Sequence, residues 1–431
     1  MKLLGIIKKI LARIGVFIKS GFLYVFSGNI LVKASNMIAS IIIVRITEKT
    51  EYAYYSYAVN LFSYIELIAG LGLASALLKY ATNDNSKEKD KAYFVFAGKW
   101  GTLIQFIASA LLCIGVTFIE LPFAEAKTYV YALALLPCLS YFLSVLQMYL
   151  RARENYDKYA MTGLGQAVII CVIGSLAAIV FGVKGLVGAR YLAVGIVILC
   201  AWRYICPQIR RIDNVRLEKE EKRAFVGMGG AMMLADFFSA IMPYNETFLV
   251  NNLIKDEIVT ANFKVAGLLP SQLILVTGSI VIFFFPKVAK ISDERYVLKY
   301  IFKIAFFNLI AVSVITFLGI LLTPMIINVL YGNKYQDAAE MSYMLWIMRY
   351  INVAFRMLPM NFLPALGRTR FNALCCAISC VFQIVIDYFC LSIYGMNGLA
   401  YATIVIYVLS GIAFWAYLIK VCKDSGQRRN V

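Results

Sequence analysis

Apolar stretches of about twenty residues recur along the whole chain, and few folds can hold them. Reading for such runs gives twelve, at approximately 22–46, 52–79, 93–119, 128–150, 162–182, 185–205, 225–253, 258–286, 302–330, 340–366, 371–393 and 397–419. Each is long enough, or nearly so, to cross the roughly 30 Å of hydrocarbon in a bilayer as a helix. Composition decides between buried core helices and membrane helices. Hydrophobic residues make up 61% of the chain and charged residues 15%, where a soluble domain carries about 25% charged. A soluble fold of 431 residues cannot hide that much apolar surface. The expectation is an all-α, multi-pass membrane protein with about twelve transmembrane helices.

Lysine and arginine fall mainly in alternate connections. One set holds Lys79, Lys87, Lys89 and Lys91, then Arg151, Arg153 and Lys158, then Arg203, Arg210, Arg211, Arg216, Lys219, Lys222 and Arg223. The intervening connections hold isolated cations such as Lys49, Lys127, Lys255 and Lys334. By the positive-inside rule the first set, and both termini, are cytoplasmic. The net charge of +18 is therefore mostly an orientation signal, and nucleic acid is not needed to explain it. Residues 1–20 place Leu3, Ile7, Ile10, Leu11 and Ile14 on one helical face and Lys8, Lys9, Arg13 and Lys19 mainly on the other. That pattern predicts an interfacial amphipathic helix rather than a cleavable signal. The predicted organisation is this helix (1–20), a six-helix bundle (21–205), a cytoplasmic linker (206–224), a second six-helix bundle (225–420) and a tail (421–431).

The chain also repeats. Residues 150–204 and 363–417 align without a gap, matching Gly182 with Gly395, Gly185 with Gly398, Leu186 with Leu399, Ala189 with Ala402, Trp202 with Trp415 and Tyr204 with Tyr417. "FGVKGLVGARY" and "YGMNGLAYATI" read as the same short turn between helices. Six helices per repeat leave the two halves with one orientation, the parallel-repeat arrangement of some transporters.

Several charges remain inside the apolar runs: Lys33, Lys99, Lys264, Arg349 and Arg356, with Glu66, Asp236, Glu246 and Asp387. A charge at the bilayer centre costs about 2.5–3.5 kcal/mol on insertion scales, so such residues face one another or water. Asn29, Lys33, Asn36 and Ser40 form one polar stripe; Arg349, Asn352 and Arg356 form another; Asn60, Ser63 and Glu66 a third. Stripes on several helices imply a wet cavity. Interhelical ion pairs, such as Lys33 with Asp236 or Glu66, are the alternative, and Lys99 and Lys264 could snorkel from nearer the helix ends. In a regular helix Arg349 and Arg356 lie about 10.5 Å apart along the axis. At an effective dielectric of about 20 they repel by about 1.6 kcal/mol, which calls for an anion near them. Pro243 should kink the seventh run and is a candidate hinge. The ten cysteines form no CxxC pair and there is no histidine, so neither a metal site nor a cofactor is expected.

The stretch "SGNILVKASNMIASIIIVRITEKTEYAYYSYAVNLFSYIELIAGLGLASALLKYA" resembles the opening of the Wzx-type polysaccharide flippases, within the multidrug/oligosaccharidyl-lipid/polysaccharide exporter superfamily. "LRARENYDKYA", "FFFPKVAKI", "LYGNKYQDAAEMSYML" and "LGRTRFNAL" resemble further landmarks in the same order. One departure is Gly70, where the family often has an acid before the Leu-Gly-Leu. The resemblance implies two six-helix bundles around a central cavity lined by helices 1, 2, 7 and 8, in a bacterial inner membrane. It implies flipping of an undecaprenyl-diphosphate-linked oligosaccharide by alternating access, with a polysaccharide polymerase and chain-length machinery as candidate partners. On that reading Lys33, Asn36, Lys99, Lys264, Arg349, Asn352 and Arg356 contact substrate, and tyrosines such as Tyr54, Tyr55, Tyr57, Tyr64 and Tyr343 suit sugar rings. Glu66, Asp236, Glu246 and Asp387 are the candidates for proton or sodium coupling. A cation-coupled multidrug exporter of the same superfamily is the alternative; it would want an acid-dominated cavity. A membrane enzyme of polysaccharide synthesis would want a large outer loop or a catalytic domain, and neither is visible.

Overall fold

The computed structural model describes residues 22–81, 86–213, 215–289, 291 and 294–427. The amphipathic segment 1–20 and the last four residues lie outside them. Among the described residues there is no strand. By contact the chain divides into Met1–Asp236 and Phe237–Val431.

The N-terminal unit holds α1 (Phe22–Ile46), α2 (Lys49–Ile68), α3 (Leu73–Tyr80), α4 (Lys87–Phe96), α5 (Thr102–Phe118), α6 (Ala126–Leu133), α7 (Leu136–Ala152), α8 (Tyr156–Ile169), α9 (Ser175–Arg210) and the first part of α10 (Lys219–Leu249). The C-terminal unit holds the rest of α10, then α11 (Glu257–Leu268), α12 (Leu273–Ala289), α13 (Glu294–Tyr331), α14 (Asp337–Ile351), α15 (Met357–Ala365) and α16 (Thr369–Gln427). Each of the twelve apolar runs falls on helix. Among the described residues seven helical stretches are long and apolar enough to cross a membrane, eight if one bent pair is a single span. Two of them, Tyr156–Arg210 and Thr369–Lys423, each join two helices across a break.

Those two breaks are the repeated turn. Gly182 has φ 61, ψ −148 and Gly395 has φ 61, ψ −150, a region open essentially to glycine alone. Three residues on, a Cβ at Gly185 would strike the carbonyl of Ala177, and one at Gly398 the carbonyl of Cys390. Both matched tryptophans pack on equivalent places. Trp202 lies 6.1 Å from Phe142, and Trp415 Nε1 donates to the carbonyl of Phe355 at 2.8 Å; Phe142 and Phe355 are 213 residues apart, as are the tryptophans.

Another irregularity was not legible. After α2 the backbone reverses hand at Ala69, Gly70, Leu71 and Gly72, with φ of 44, 55, 57 and 68. Left-handed backbone costs about 1–2 kcal/mol at each non-glycine residue, and Gln105 compensates. Its Oε1 accepts from Gly70 N at 3.1 Å and its Nε2 donates to the Ile65 carbonyl at 2.8 Å. Gly72 permits contact with the backbone of Gly229 in α10. The Gly70 departure also has a physical reason. A side chain there would run into the Tyr141 ring and the Gly101 backbone.

Candidate functional site

α1 crosses α8 closely enough that a Cβ on Gly163 would lie 3.3 Å from Val32 Cγ2. Beside that crossing, α1, α2, α7, α8 and α9 enclose a cavity of about 490 Å3. Its polar wall is made of Asn36 and Ser40 from α1, Tyr52 and Tyr55 from α2, Gln147 from α7, Tyr159 and Gln166 from α8, and Arg190 from α9. Among the described residues Arg190 is the one charged residue on the lining, and no carboxylate is on it. Arg190 Nη1 donates to the Tyr55 hydroxyl at 2.9 Å, with the guanidinium 6.0 Å from that ring's centre. Its charge also reaches Glu66 on α2. Gln147 Nε2 donates to Thr162 Oγ1 at 3.2 Å.

The end of the unit near Gly182 is tied by Glu51. Its Oε1 accepts from the Tyr129 hydroxyl at 2.8 Å and from Val183 N at 3.3 Å. The carboxylate thus takes a backbone N–H freed by the glycine break and stands where negative charge is favoured, at a helix start.

Of the sequence-predicted residues, Asn36 lines this cavity. Lys33, one helical turn earlier, is exposed and joins none of the ion pairs among the described residues. Among the described residues no ion pair joins Lys33 to Asp236 or Glu66. Lys99 sits in a π-turn, Ala97–Gly101, exposed beside Trp100 and away from this cavity. Lys264 is half-buried on α11, and Pro243 lies inside α10. The Asn29 side chain falls outside the described residues. Arg190, Tyr159, Gln147 and Gln166 were missed as site residues. Arg190 lies near one end of the 185–205 run with no polar residue at helical spacing, and a lone amide on each of two helices makes no stripe.

Of the two arginines of the second stripe, Arg349 meets an acid of its own unit. Arg349 Nη2 lies 2.7 Å from Glu246 Oε2, and Arg349 Nη1 donates to the Tyr407 hydroxyl at 3.3 Å. Tyr407 in turn donates to Glu246 Oε1 at 2.9 Å, and Gln383 Nε2 approaches the same oxygen at 3.4 Å. Glu246 and Gln383 are fully buried and Arg349 is 9% exposed. The expected anion beside Arg349 is thus supplied by the protein. Arg356, 2% exposed, donates to Asn352 Oδ1 and Met242 Sδ at 3.3 Å each. It also lies 5.5 and 5.8 Å from the ring centres of Tyr407 and Phe414. Among the described residues it has no carboxylate partner, and its Nε is unpaired. The stripe is not a regular helical face, because Asn352–Arg356 is a π-turn. The carbonyl of Val353 in that turn accepts from Asn308 Nδ2 at 3.1 Å. Asp387, fully buried, accepts from Thr403 Oγ1 at 3.2 Å through both oxygens.

A cavity walled by amides, phenols and one guanidinium suits a polyhydroxylated or anionic ligand. Comparison with known proteins bears on which. The model of a family described as polysaccharide biosynthesis protein matches residues 42–340. The chain belongs to the polysaccharide biosynthesis protein family. The match bears out the resemblance carried by the opening helices and the later landmarks. A candidate O-antigen transporter of Shigella flexneri is 23% identical over 383 residues, covering 84% of this chain and 88% of that one. Among solved structures, an inward-facing multidrug resistance MATE transporter of the MOP superfamily matches with a TM-score of 0.68 at 14% identity, covering 92% of this chain and 96% of the other. A MOP superfamily transporter of Pyrococcus furiosus, described as having a binding pocket of reversed polarity, gives 0.63 at 12% identity over 94% and 95% of the chains. This member of the polysaccharide biosynthesis family therefore has the MATE-like fold, and its relatives are transporters, not enzymes.

Proposed function

We propose that this polysaccharide biosynthesis protein flips an undecaprenyl-diphosphate-linked oligosaccharide across the bacterial inner membrane by alternating access. The observation that carries the reading is the N-terminal cavity, whose lining among the described residues has Arg190 as its charged residue and no carboxylate. A guanidinium in a sheltered cavity takes phosphate oxygens through two N–H groups, and tyrosine faces and amides take sugar rings. The Shigella relative supports the same cargo class, and the Pyrococcus transporter, described as having a binding pocket of reversed polarity, supports a pocket of different charge on this fold. A cation exporter would place a carboxylate on the lining. Twelve crossings in two six-helix bundles, with both termini cytoplasmic, complete the proposed architecture. Lys33 adds positive charge one turn from Asn36, and Arg356 adds a buried cation without a carboxylate in the C-terminal unit. Glu66, Asp236, Glu246 and Asp387 remain the proposed coupling acids, with proton or sodium as the ion. Polymerase and chain-length proteins are the proposed partners on the product side.

Surface glycan in a strain lacking the chromosomal copy tests this. Arg190→Gln should abolish it at normal expression and Arg190→Lys should keep part of it. Lys33→Arg should keep more than Lys33→Glu. Full glycan from Arg190→Gln and Lys33→Glu, at wild-type protein level, would sink the cationic-cavity reading.

A further inference from the structure

A second cavity, of about 280 Å3, lies in the N-terminal unit where the segment entering α10 meets α4 and its π-turn. Lys91, Lys99, Arg216 and Lys222 line it, and among the described residues no acidic residue does. It shares no lining residue with the larger cavity.

Nearby cations of the unit are paired. Lys89 Nζ lies 2.6 Å from Glu221, and Arg153 lies 3.1 Å from Asp90. Lys91 instead donates to the Ile212 carbonyl at 2.6 Å. Among the described residues Lys99, Arg216 and Lys222 join no ion pair. Positive charges gathered on one cavity repel one another and raise the local concentration of anions.

The apolar part of the wall selects among anions. Val95 is 50% exposed, Trp100 46% and Val215 44%. Tryptophan beside cations at the end of an apolar helix is the chemistry of the headgroup boundary, where an indole lies against acyl glycerol and a cation meets phosphate. A free anion would use the cations and leave that wall bare. We propose that this pocket binds the phosphate headgroup of an anionic phospholipid of the cytoplasmic leaflet, the sidedness resting on the positive-inside reading. Bound there, the lipid ties the segment around Arg216 to the π-turn of Lys99. It is a resident lipid, not the transported one.

Native mass spectrometry of the purified full-length chain tests it, with phosphatidylglycerol or phosphatidylcholine added at equal concentration. Phosphatidylglycerol should be retained in preference. The variant K99Q/R216Q/K222Q should bind it roughly tenfold more weakly or worse, and K99R/R216K/K222R should retain it. Lys299→Gln, Lys303→Gln and Arg370→Gln together control for overall charge and should leave binding unchanged. Wild-type retention by K99Q/R216Q/K222Q, or equal loss in the control, overturns the proposal. Displacement of the lipid by millimolar inorganic phosphate overturns it too, because the pocket would then belong to a soluble anion.

Discussion

Glu246 holds two donors that would otherwise be buried without a carboxylate, Arg349 and Tyr407. Removing one partner of a buried pair leaves the other charged in a medium that cannot solvate it, at a cost of roughly 3–5 kcal/mol. Glu246→Ala should therefore lower thermal stability in detergent far more than the double variant Glu246→Leu with Arg349→Met, in which no charge is stranded. Equal stability of the two would mean that water already reaches the pair. Which residues carry intramembrane charge was legible in the sequence, because each interrupts an apolar run. Their partners were not. Glu246 and Arg349 are 103 residues apart, and helical spacing relates only residues on the same helix. Repulsion between Arg349 and Arg356 did call for an anion, but the protein's own glutamate answers that call for Arg349. Arg190 gives no stripe in the sequence, because "GARYLAVG" offers no second polar position at helical spacing.

At the scale of elements, the places where helices break decide what the side chains meet. The turns at Gly182 and Gly395 were readable because two glycines and a tryptophan recur in register, and the shared backbone angles follow from that identity. The left-handed turn Ala69–Gly72 was visible as a motif, yet its hand was not. "AGLG" continues an apolar run, and nothing local marks Ala69 and Leu71 for positive φ. What stabilises it comes from α5, through Gln105, which is 1% exposed. Gln105→Leu keeps the volume but strands the N–H of Gly70, a loss of about 1–3 kcal/mol for a buried group. It should lower the unfolding temperature and the membrane level of the protein, while Gln105→Glu should retain only the Gly70 bond. Gly70→Glu, which restores the acid common in the family, should be worse than either because Tyr141 and Gly101 already fill that space. Wild-type stability of Gly70→Glu would show that the turn relaxes readily. The π-turns had no sequence signal either. They show in the side chains that take their carbonyls, such as Tyr141 at Ala97, at 3.2 Å.

For the whole molecule, the apolar runs and alternating cations left little freedom: every run is helical, and the family and fold follow the resemblance. The orientation gives a direct prediction. In a background without reactive native cysteines, a cysteine at Lys255 or Lys334 should react with an impermeant thiol reagent in intact cells, and one at Arg211 should not. The reverse pattern would invert the proposed topology. The central claim is that the chain moves a lipid-diphosphate oligosaccharide through a cationic path. The most direct measurement uses proteoliposomes loaded on one leaflet with a fluorescent lipid-diphosphate oligosaccharide, with its appearance on the other leaflet read by an impermeant quencher. Wild-type protein should translocate it, Arg190→Gln should lose most of that activity while remaining folded, and a neutral glycolipid of the same sugar should move poorly in both. Translocation by Arg190→Gln at the wild-type rate, or equal movement of the neutral glycolipid, would contradict the account.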